Sequence, residues 1–516
     1  MPGELLLGVD IGTYSAKGVL CTPDGEVLAT HIVEHGISMP RPGWVEQDAD
    51  AVWWDGFVAI CRALTGGRYE GADIGAVAVS AIGPCMLPVD AAGRPLRPGV
   101  LYGIDTRAQA EIDWLNERFG EEALFELGGM ALTAQAIGPK ILWLRNKEPE
   151  TFARTHKILT ASSYLIHRLT GEYVIDRHTG AHFNPLVDIR TLEWDARFAE
   201  PIVEIEKLPA LHWSTEVVGT VGQAAAAATG LAPGTPVTAG TVDAAAEAIS
   251  VGVVMPGDLM VMYGTTMFFL LVTDRPQPDP RFWSTGYVLP GVYDVAGGMS
   301  TTGALTRWFR DEFAADERRA EADGGPNAYA ALSALAESIP AGAEGLVCLP
   351  YFAGERTPIH DSRARGVFAG LTLSHTRAHM YRALLEGTAF GVRHNVEALS
   401  EMGAVPRRLV AVGGGANSRL WLQIVSDAVG LPQVVPARTI GASYGDAFLA
   451  GLATGIVPGI EALADTWVSV AEVIEPRPRE RRRYDDVYRV YRSLYEHARD
   501  DLHALARLGE EREPAG

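Results

Sequence analysis

Cysteine is scarce in this chain of 516 residues: Cys21, Cys61, Cys85 and Cys348 form no CxxC pair and keep no regular spacing. That excludes a disulfide framework or a structural zinc ribbon as the organising principle and fits a reducing, cytoplasmic setting. Basic residues are in deficit, 44 Lys and Arg against 64 Asp and Glu, for a net charge of −20. A chain of that sign is poorly matched to a nucleic-acid backbone or an anionic membrane, and neither is expected as a partner. No apolar stretch reaches the roughly 18 residues of a membrane span. Met1-Pro2-Gly3-Glu4 leads into a strand-like run without a basic leader region. What is present is a hydrophobic fraction of 47%. At roughly 100–200 residues per domain, this is enough chain for two or three domains with substantial cores.

The N-terminus reads as two successive β-hairpins: an apolar run over 5–9, a turn at Asp10-Ile11-Gly12-Thr13, a second apolar run over 16–21, and Asp24-Gly25. Helical periodicity follows over 49–65, 107–119 and 140–146, alternating with β-rich pieces at 74–80 and 86–89, which implies an α/β architecture. Near residue 250 the plan of strand, Gly-Thr turn and strand returns: an apolar run over 259–263, then Gly264-Thr265-Thr266, then 267–272. A unit repeated once at this separation implies two large related lobes, divided at about residue 250 into 1–250 and 251–516. Tyr484, Tyr488, Tyr491 and Tyr495 fall on one helical face and read as packing surface. Residues after about 510 are expected to fray.

Three segments are candidate phosphate sites. In the first, Gly12 lets a tight hairpin approach an anion, Thr13 and Ser15 offer hydroxyl and N–H donors, and Lys17 supplies positive charge. Asp10, ending a buried strand, is placed to hold Mg²⁺ directly or through water. An ordinary β-turn is the plain alternative. The second, Thr265 and Thr266 after Gly264, repeats the device, and two such hairpins can clamp a polyphosphate. The third runs from a β-branched strand through Gly413, Gly414 and Gly415 to Ala416, Asn417 and Ser418, where a helix begins. It is not GxGxxG, and no GxxxxGK[ST] occurs, so neither a Rossmann dehydrogenase nor a P-loop NTPase is supported.

Asp243, in Gly240-Thr241-Val242-Asp243, ends a strand before an alanine-rich helix. It is either an N-cap or the general base of a site between the lobes. Two other segments are decoys. His31-Ile32-Val33-Glu34-His35 matches HxxEH, yet a strand over 27–37 sets residues four apart at ~13 Å, too far to share a metal. Gly354-Glu355-Arg356-Thr357-Pro358 crowds charge, but an Arg–Glu pair bracing a loop is the simpler account.

Taken in order, these segments resemble the FGGY family of carbohydrate kinases, with xylulokinase-like members in view. The resemblance runs along nearly the whole chain: 7–13 with Ser15 and Lys17, Gly43-Trp44-Val45-Glu46-Gln47, 101–107, 140–144, 169–172, Asp243, Tyr263-Gly264-Thr265-Thr266, 349–358, 366–371, Glu386-Gly387 and 413–416. It implies an α/β fold of two RNase H-like lobes, as in the sugar kinase/actin/heat-shock-protein ATPase superfamily, with an interlobe cleft that closes on the sugar. It further implies Asp243 as base, Thr13 and Lys17 on phosphate, Thr265 and Thr266 as a second phosphate loop, and Gly303, Gly414 and Gly415 beside the nucleotide. ATP and Mg²⁺ are the implied cofactors.

This sequence departs from the pattern twice. Where xylulokinase-like members carry Gln-Met-His to read the sugar, it has Ile82-Gly83-Pro84, and Ala244 follows Asp243 where Asn or Gln is usual. The substrate is therefore read at Trp44, Glu46, Gly83, Pro84, Tyr102, Asp105, Arg107 and Asp243, with Asp105 and Arg107 equally a buried ion pair. A ketopentose such as xylulose is the first expectation, then a hexulose, sugar alcohol or aldonate, with a homodimer kept open. A non-catalytic sugar-binding regulator and an actin- or chaperone-like ATPase are the rival readings. Asp10, Lys17 and Asp243 argue against the first, and the Gly-Trp-Val-Glu segment argues against the second.

Overall fold

The computed structural model describes residues 3–510, and the expected terminal fraying lies outside the described residues. The chain divides into two compact units, one of residues 3–254, 272–294 and 438–469, the other of 255–271, 295–437 and 470–510. A single boundary at about residue 250 leaves out the two later segments that return to the first unit.

In the first unit β1 (Leu5–Ile11), β2 (Ser15–Cys21) and β3 (Val27–Glu34) form the two antiparallel hairpins read from the sequence. On the other side of β1 lies β4 (Ile74–Ala81), parallel to it. All eight residues of β4 are buried. Its sequence, IGAVAVSA, lacks polar alternation because both faces are covered. With β5 (Val217–Thr220) and β6 (Pro236–Thr238) the sheet order is β5-β6-β4-β1-β2-β3, and Thr241–Val242 pairs in parallel with the end of β4.

The helices Asp243–Ser250 and Ala442–Thr454 pack on this sheet and on each other through small residues. A Cβ on Gly8 would lie 1.9 Å from the Ser443 carbonyl oxygen, and one on Gly445 would lie 1.9 Å from that of Ala246. Backbone therefore meets backbone at both crossings, and a larger residue would separate the layers.

In the second unit β7 (Asp258–Tyr263) and β8 (Met267–Thr273) form an antiparallel hairpin, with β9 (Tyr293–Met299) beyond β8. On the other side β10 (Arg408–Val412) runs parallel to β7, followed by β11 (Gln433–Pro436) and an antiparallel β12 (Val470–Ile474). The order β9-β8-β7-β10-β11-β12 repeats β3-β2-β1-β4-β6-β5, with the same directions at the β7–β8, β7–β10, β10–β11 and β11–β12 pairings, and a further strand, Trp283–Gly286, lies beyond β9. The repeated Gly-Thr hairpin is thus the visible part of a repeated sheet. The helix Pro478–Glu510 carries the tyrosine stripe: Tyr484, Tyr488 and Tyr491 are buried and Tyr495 donates to Asp361 at 2.6 Å, which makes the stripe packing surface.

Candidate active site

The first unit gathers its acids where β1, β4 and two helices meet. The register sets Asp10 against Lys17 on β2 and against Ser80 on β4. Ser80 Oγ lies 3.2 Å from Asp10 Oδ1 and 2.6 Å from Oδ2 of Asp446, on the helix Ala442–Thr454, and the Ser80 N–H also donates to Asp446. Asp10 is only 7% exposed and Asp446 fully buried. Burial first, then neighbouring negative charge, pushes both carboxyls well above the usual range. Lys17 lowers the Asp10 value without cancelling these effects. Asp446 Oδ1 has no hydrogen-bond partner among the described residues.

Asp243 is the first residue of its helix, after an N-cap at Val242, and its Oδ1 accepts the Ala244 N–H at 2.8 Å. It takes up one of the helix's free N–H groups from inside the first turn rather than from the cap position. Its side chain is half-buried, and burial lifts its pKa to about 6 against the lowering effects of the Ala244 N–H and the His178 charge. One turn on, Glu247 is lifted to about 7 by burial and by the Asp243 charge, with Lys17 acting in the opposite sense. These groups form one electrostatic set with more negative charge than Lys17 can balance.

The turn between β1 and β2 is closed by the Gly12 N–H donating to the Ser15 carbonyl at 3.0 Å. Lys17 and Tyr14 are exposed, while Thr13 and Ser15 are half-buried. Thr13 Oγ1 lies 3.4 Å from the Tyr102 hydroxyl, and the Thr13 carbonyl accepts from Gln47 at 2.9 Å. Tyr102 is itself fixed through its backbone: the buried Lys140 ammonium donates to the Leu101 and Tyr102 carbonyls at 2.6 and 2.9 Å. Burial lowers the Lys140 pKa to about 8. Gly83 lies beside Val242, where a Cβ would come within 2.9 Å of Val242 Cγ2, so Ile82-Gly83-Pro84 borders the approach to Asp243.

Of the sugar-reading candidates, Asp105 and Arg107 are instead a structural pair. Both side chains are fully buried, joined at 2.7 Å through Arg107 Nη2, and Asp105 Oδ2 also accepts the Val45 N–H at 2.6 Å. Arg107 extends the network to Glu46 at 2.8 Å, where Arg97 also pairs, and stacks on Trp44 at 4.1 Å. Trp44 and Trp143 meet edge to face at 5.2 Å. The shielding that makes this network rigid also withdraws the Asp105 and Arg107 charges from a ligand. Glu46 is buried in the same network.

In the second unit the loop Gly264-Thr265-Thr266 joins β7 to β8, with both threonines exposed. Its backbone is latched to the start of the helix Gly303–Phe313: the Gly303 N–H donates to the Gly264 carbonyl at 3.0 Å and the Ala304 N–H to the Thr265 carbonyl at 2.9 Å. A Cβ at Gly303 would lie 2.4 Å from that Gly264 oxygen, so loop and helix need glycine there to meet. Gly413 has φ 88° and turns the chain out of β10. Gly415 packs on Tyr263 and Trp421, whereas a Cβ on Gly414 would meet nothing within 4 Å. The turn Gly414–Asn417 leads to Ser418, whose Oγ caps the helix Arg419–Val429 at the Trp421 N–H, 3.4 Å away; Asn417 is exposed.

Sequence reading missed Ser80, Glu247 and Asp446. Glu247 had a usable signal, a second acid four residues after Asp243 on the same helix, and Asp446 had a weaker one, an acid among small and apolar residues. In the Gly354–Pro358 segment, Glu355 Oε1 accepts the Ser300 and Arg356 N–H groups, and Arg356 donates to the Met299 carbonyl at 3.0 Å. The bracing runs through backbone groups.

Comparison with known proteins gives the family. The N-terminal domain of the FGGY family of carbohydrate kinases matches residues 5–250, and its C-terminal domain matches 259–454. The chain belongs to the FGGY family of carbohydrate kinases and is a phosphotransferase with an alcohol group as acceptor. Among its relatives, the xylulose kinase of Escherichia coli strain K12 is 30% identical over 87% of this chain and 90% of that protein. The gluconokinase of Bacillus subtilis strain 168 is 28% identical over 89% and 90%. The solved xylulose kinase of Rhodospirillum rubrum superposes with a TM-score of 0.90 at 32% identity, covering 97% of this chain and all of that one.

Proposed function

We propose that this enzyme transfers the γ-phosphate of ATP to a hydroxyl of a small ketose, a ketopentose such as xylulose first, with Asp243 as the general base. The observation that carries the reading is the state of Asp243: half-buried, without an ion-pair partner among the described residues, and lifted by burial to about 6. A carboxylate with that value is ionised at neutral pH, yet is more basic than a solvated aspartate, which suits it to take a proton from an alcohol. As the acceptor oxygen attacks the γ-phosphorus and the bond to ADP breaks, Asp243 receives the hydroxyl proton. Lys17, Thr13 and Ser15 spread phosphate charge from the first hairpin, and Thr265 and Thr266 offer the same from the second, with Gly414 and Gly415 beside the nucleotide. Positioning and electrostatics supply most of the acceleration, as in other phosphoryl transfers.

The acidic set suits a magnesium ion. No group of three or more His, Cys, Asp or Glu among the described residues forms a complete cage, but magnesium needs only one or two carboxylates when phosphates and water complete its shell. The carboxyl of Asp10, held above its ordinary range by burial and by the Asp243 charge, is the group whose ionisation a cation would favour, with Asp446 behind it through Ser80. Bound with ATP, the ion would neutralise phosphate charge. Trp44, Glu46, Gly83, Pro84 and Tyr102 belong to the acceptor side, with Glu46 acting through the network that fixes Trp44.

Xylulose is the substrate named for the E. coli and R. rubrum relatives and gluconate for the B. subtilis one. The test is ADP release from Mg-ATP across pentuloses, hexuloses, sugar alcohols and aldonates. Strong release with a ketopentose supports the assignment. Release confined to an aldonate or a sugar alcohol would replace it, and none with any acceptor would remove it.

A further inference from the structure

A second buried polar cluster lies in the first unit, joined through Thr241 to the segment that leads into Asp243. The short helix Arg177–Ala181 begins after Asp176, whose Oδ1 accepts the Thr179 N–H at 3.0 Å and the Thr241 hydroxyl at 3.2 Å. The bond to Thr241 ties the start of the helix to the strand Thr241–Val242, which leads into Asp243. His178, 5% exposed, stands on this helix. Its Nδ1 lies 2.9 Å from the Gly286 carbonyl, 3.3 Å from Asp294 Oδ1 and 3.2 Å from Thr285 Oγ1, which itself donates to Asp294 at 2.6 Å.

A carbonyl and a carboxylate both facing Nδ1 require that nitrogen to carry the proton, which fixes the ring's orientation. All three contacts use Nδ1, so Nε2 makes no hydrogen bond among the described residues. Five buried polar atoms of the same stretch, Asp176 Oδ2, Arg177 Nε, Thr179 Oγ1, His182 Nδ1 and Asn184 Oδ1, lack partners among the described residues, as does Asp294 Oδ2. Unsatisfied polar atoms are rare in folded interiors, and such a concentration around a helix bonded to Thr241, two residues before Asp243, suits hydroxyl groups or ordered water.

We propose that His178 is a specificity-determining residue whose Nε2 hydrogen-bonds a hydroxyl of the acceptor, standing in for the polar side chains that Ile82-Gly83-Pro84 cannot supply. The inference rests on the kinase reading above and narrows its acceptor to a polyhydroxylated molecule long enough to reach from Asp243 to His178. The Asp176–Thr241 bond, two residues before Asp243, brings the helix that carries His178 against the segment leading into Asp243, and the His178 charge acts on Asp243 in the sense of lowering its pKa. Burial opposes the imidazolium, but the Asp294 carboxylate, the Asp176 charge and the Gly286 carbonyl together outweigh it, so the His178 pKa is raised. In either protonation state Nε2 can pair with a hydroxyl, as donor or as acceptor.

The experiment is steady-state kinetics on the full chain with its best acceptor, comparing wild type, His178→Ala and His178→Gln. Loss of one hydrogen bond to the acceptor is expected to raise its KM about tenfold in His178→Ala, with the KM for ATP shifted less than about twofold. His178→Gln, whose amide reaches the Nε2 position, is expected to recover part of that loss. Deoxy analogues of the acceptor supply the matching arm: one of them should lose as much with wild type as the parent loses with His178→Ala, and lose little more in the variant. An unchanged acceptor KM in both variants, or equal discrimination by wild type and variant against every deoxy analogue, overturns the role of His178. Absence of turnover by wild type with every acceptor overturns the kinase reading instead, so the two failures are distinct.

Discussion

Half-buried Asp243 and buried Glu355 are both acids with raised pKa values, and they call for opposite tests. With Asp243, held at about 6, as the proposed base, the deprotonated form is the active one, so kcat/KM for the acceptor is expected to fall about tenfold per pH unit below that value and to level off above it. Replacing it by Asn should lower kcat by 10²-fold or more, roughly the contribution of a positioned base, while ATP affinity changes little. A pH–rate profile on both proteins checks this. Glu355 is a matter of stability. Burial lifts it from 4.5 to about 7, above its unfolded value, so the folded state holds the proton more tightly. The Glu355 contribution to stability is therefore greatest below 4.5, declines as pH rises toward 7 and stays lost above that. Its Oε2 has no partner among the described residues to offset the charge. Glu355→Gln is expected to raise Tm at pH near 8, by an amount corresponding to at most ~3 kcal/mol, and to change it little near pH 4; thermal melts at both pH values decide.

Two glycines separate folding from binding at the level of elements. Gly303→Ala drives a Cβ toward the Gly264 carbonyl at 2.4 Å, so the latch between hairpin and helix must open. A cost of about 1–3 kcal/mol in stability is expected, together with weaker ATP binding. Gly414→Ala meets nothing within 4 Å, so Tm should hold while ATP affinity falls because the backbone can no longer be approached closely. Calorimetric melts and nucleotide titrations on the two variants check the pair, and an unchanged ATP affinity in Gly414→Ala would remove it from the nucleotide site. Element types were legible where pattern is local. The hairpins at 5–34, the repeat at 258–273 and the helix after Ser418 all stand where β-branched runs, Gly turns and a capping serine put them. The helix Gly303–Phe313 and its latch were not legible, because a glycine that admits another backbone looks in sequence like any turn glycine.

The candidate site was half legible at the scale of the whole molecule, for a topological reason. Asp10 and Lys17 share one hairpin and Asp243 follows a strand with a recognisable context, so local sequence marks them. Ser80 and Asp446 meet across 366 positions of chain, and no local pattern announces that. The same return of the chain bears on folding. The helix Ala442–Thr454 packs on β1, β4 and the helix Asp243–Ser250, supplying Asp446 and the close contacts at Gly8 and Gly445. A fragment of residues 1–254 is therefore expected to lack a cooperative thermal transition, and addition of a polypeptide covering 438–469 should restore part of it. A fragment that melts as sharply as the full chain would contradict this account of the first unit.

The claim on which the rest depends is that Asp243 accepts the proton of an acceptor hydroxyl during transfer from ATP. Phosphorus NMR of ATP with the enzyme and a ketopentose follows that transfer directly, since loss of the γ-phosphate signal and growth of a phosphomonoester signal report one event. Wild type is expected to show both, dependent on the acceptor, and Asp243→Asn neither on the same timescale. A phosphomonoester formed as fast by Asp243→Asn, or free phosphate appearing in place of the ester, would contradict the account.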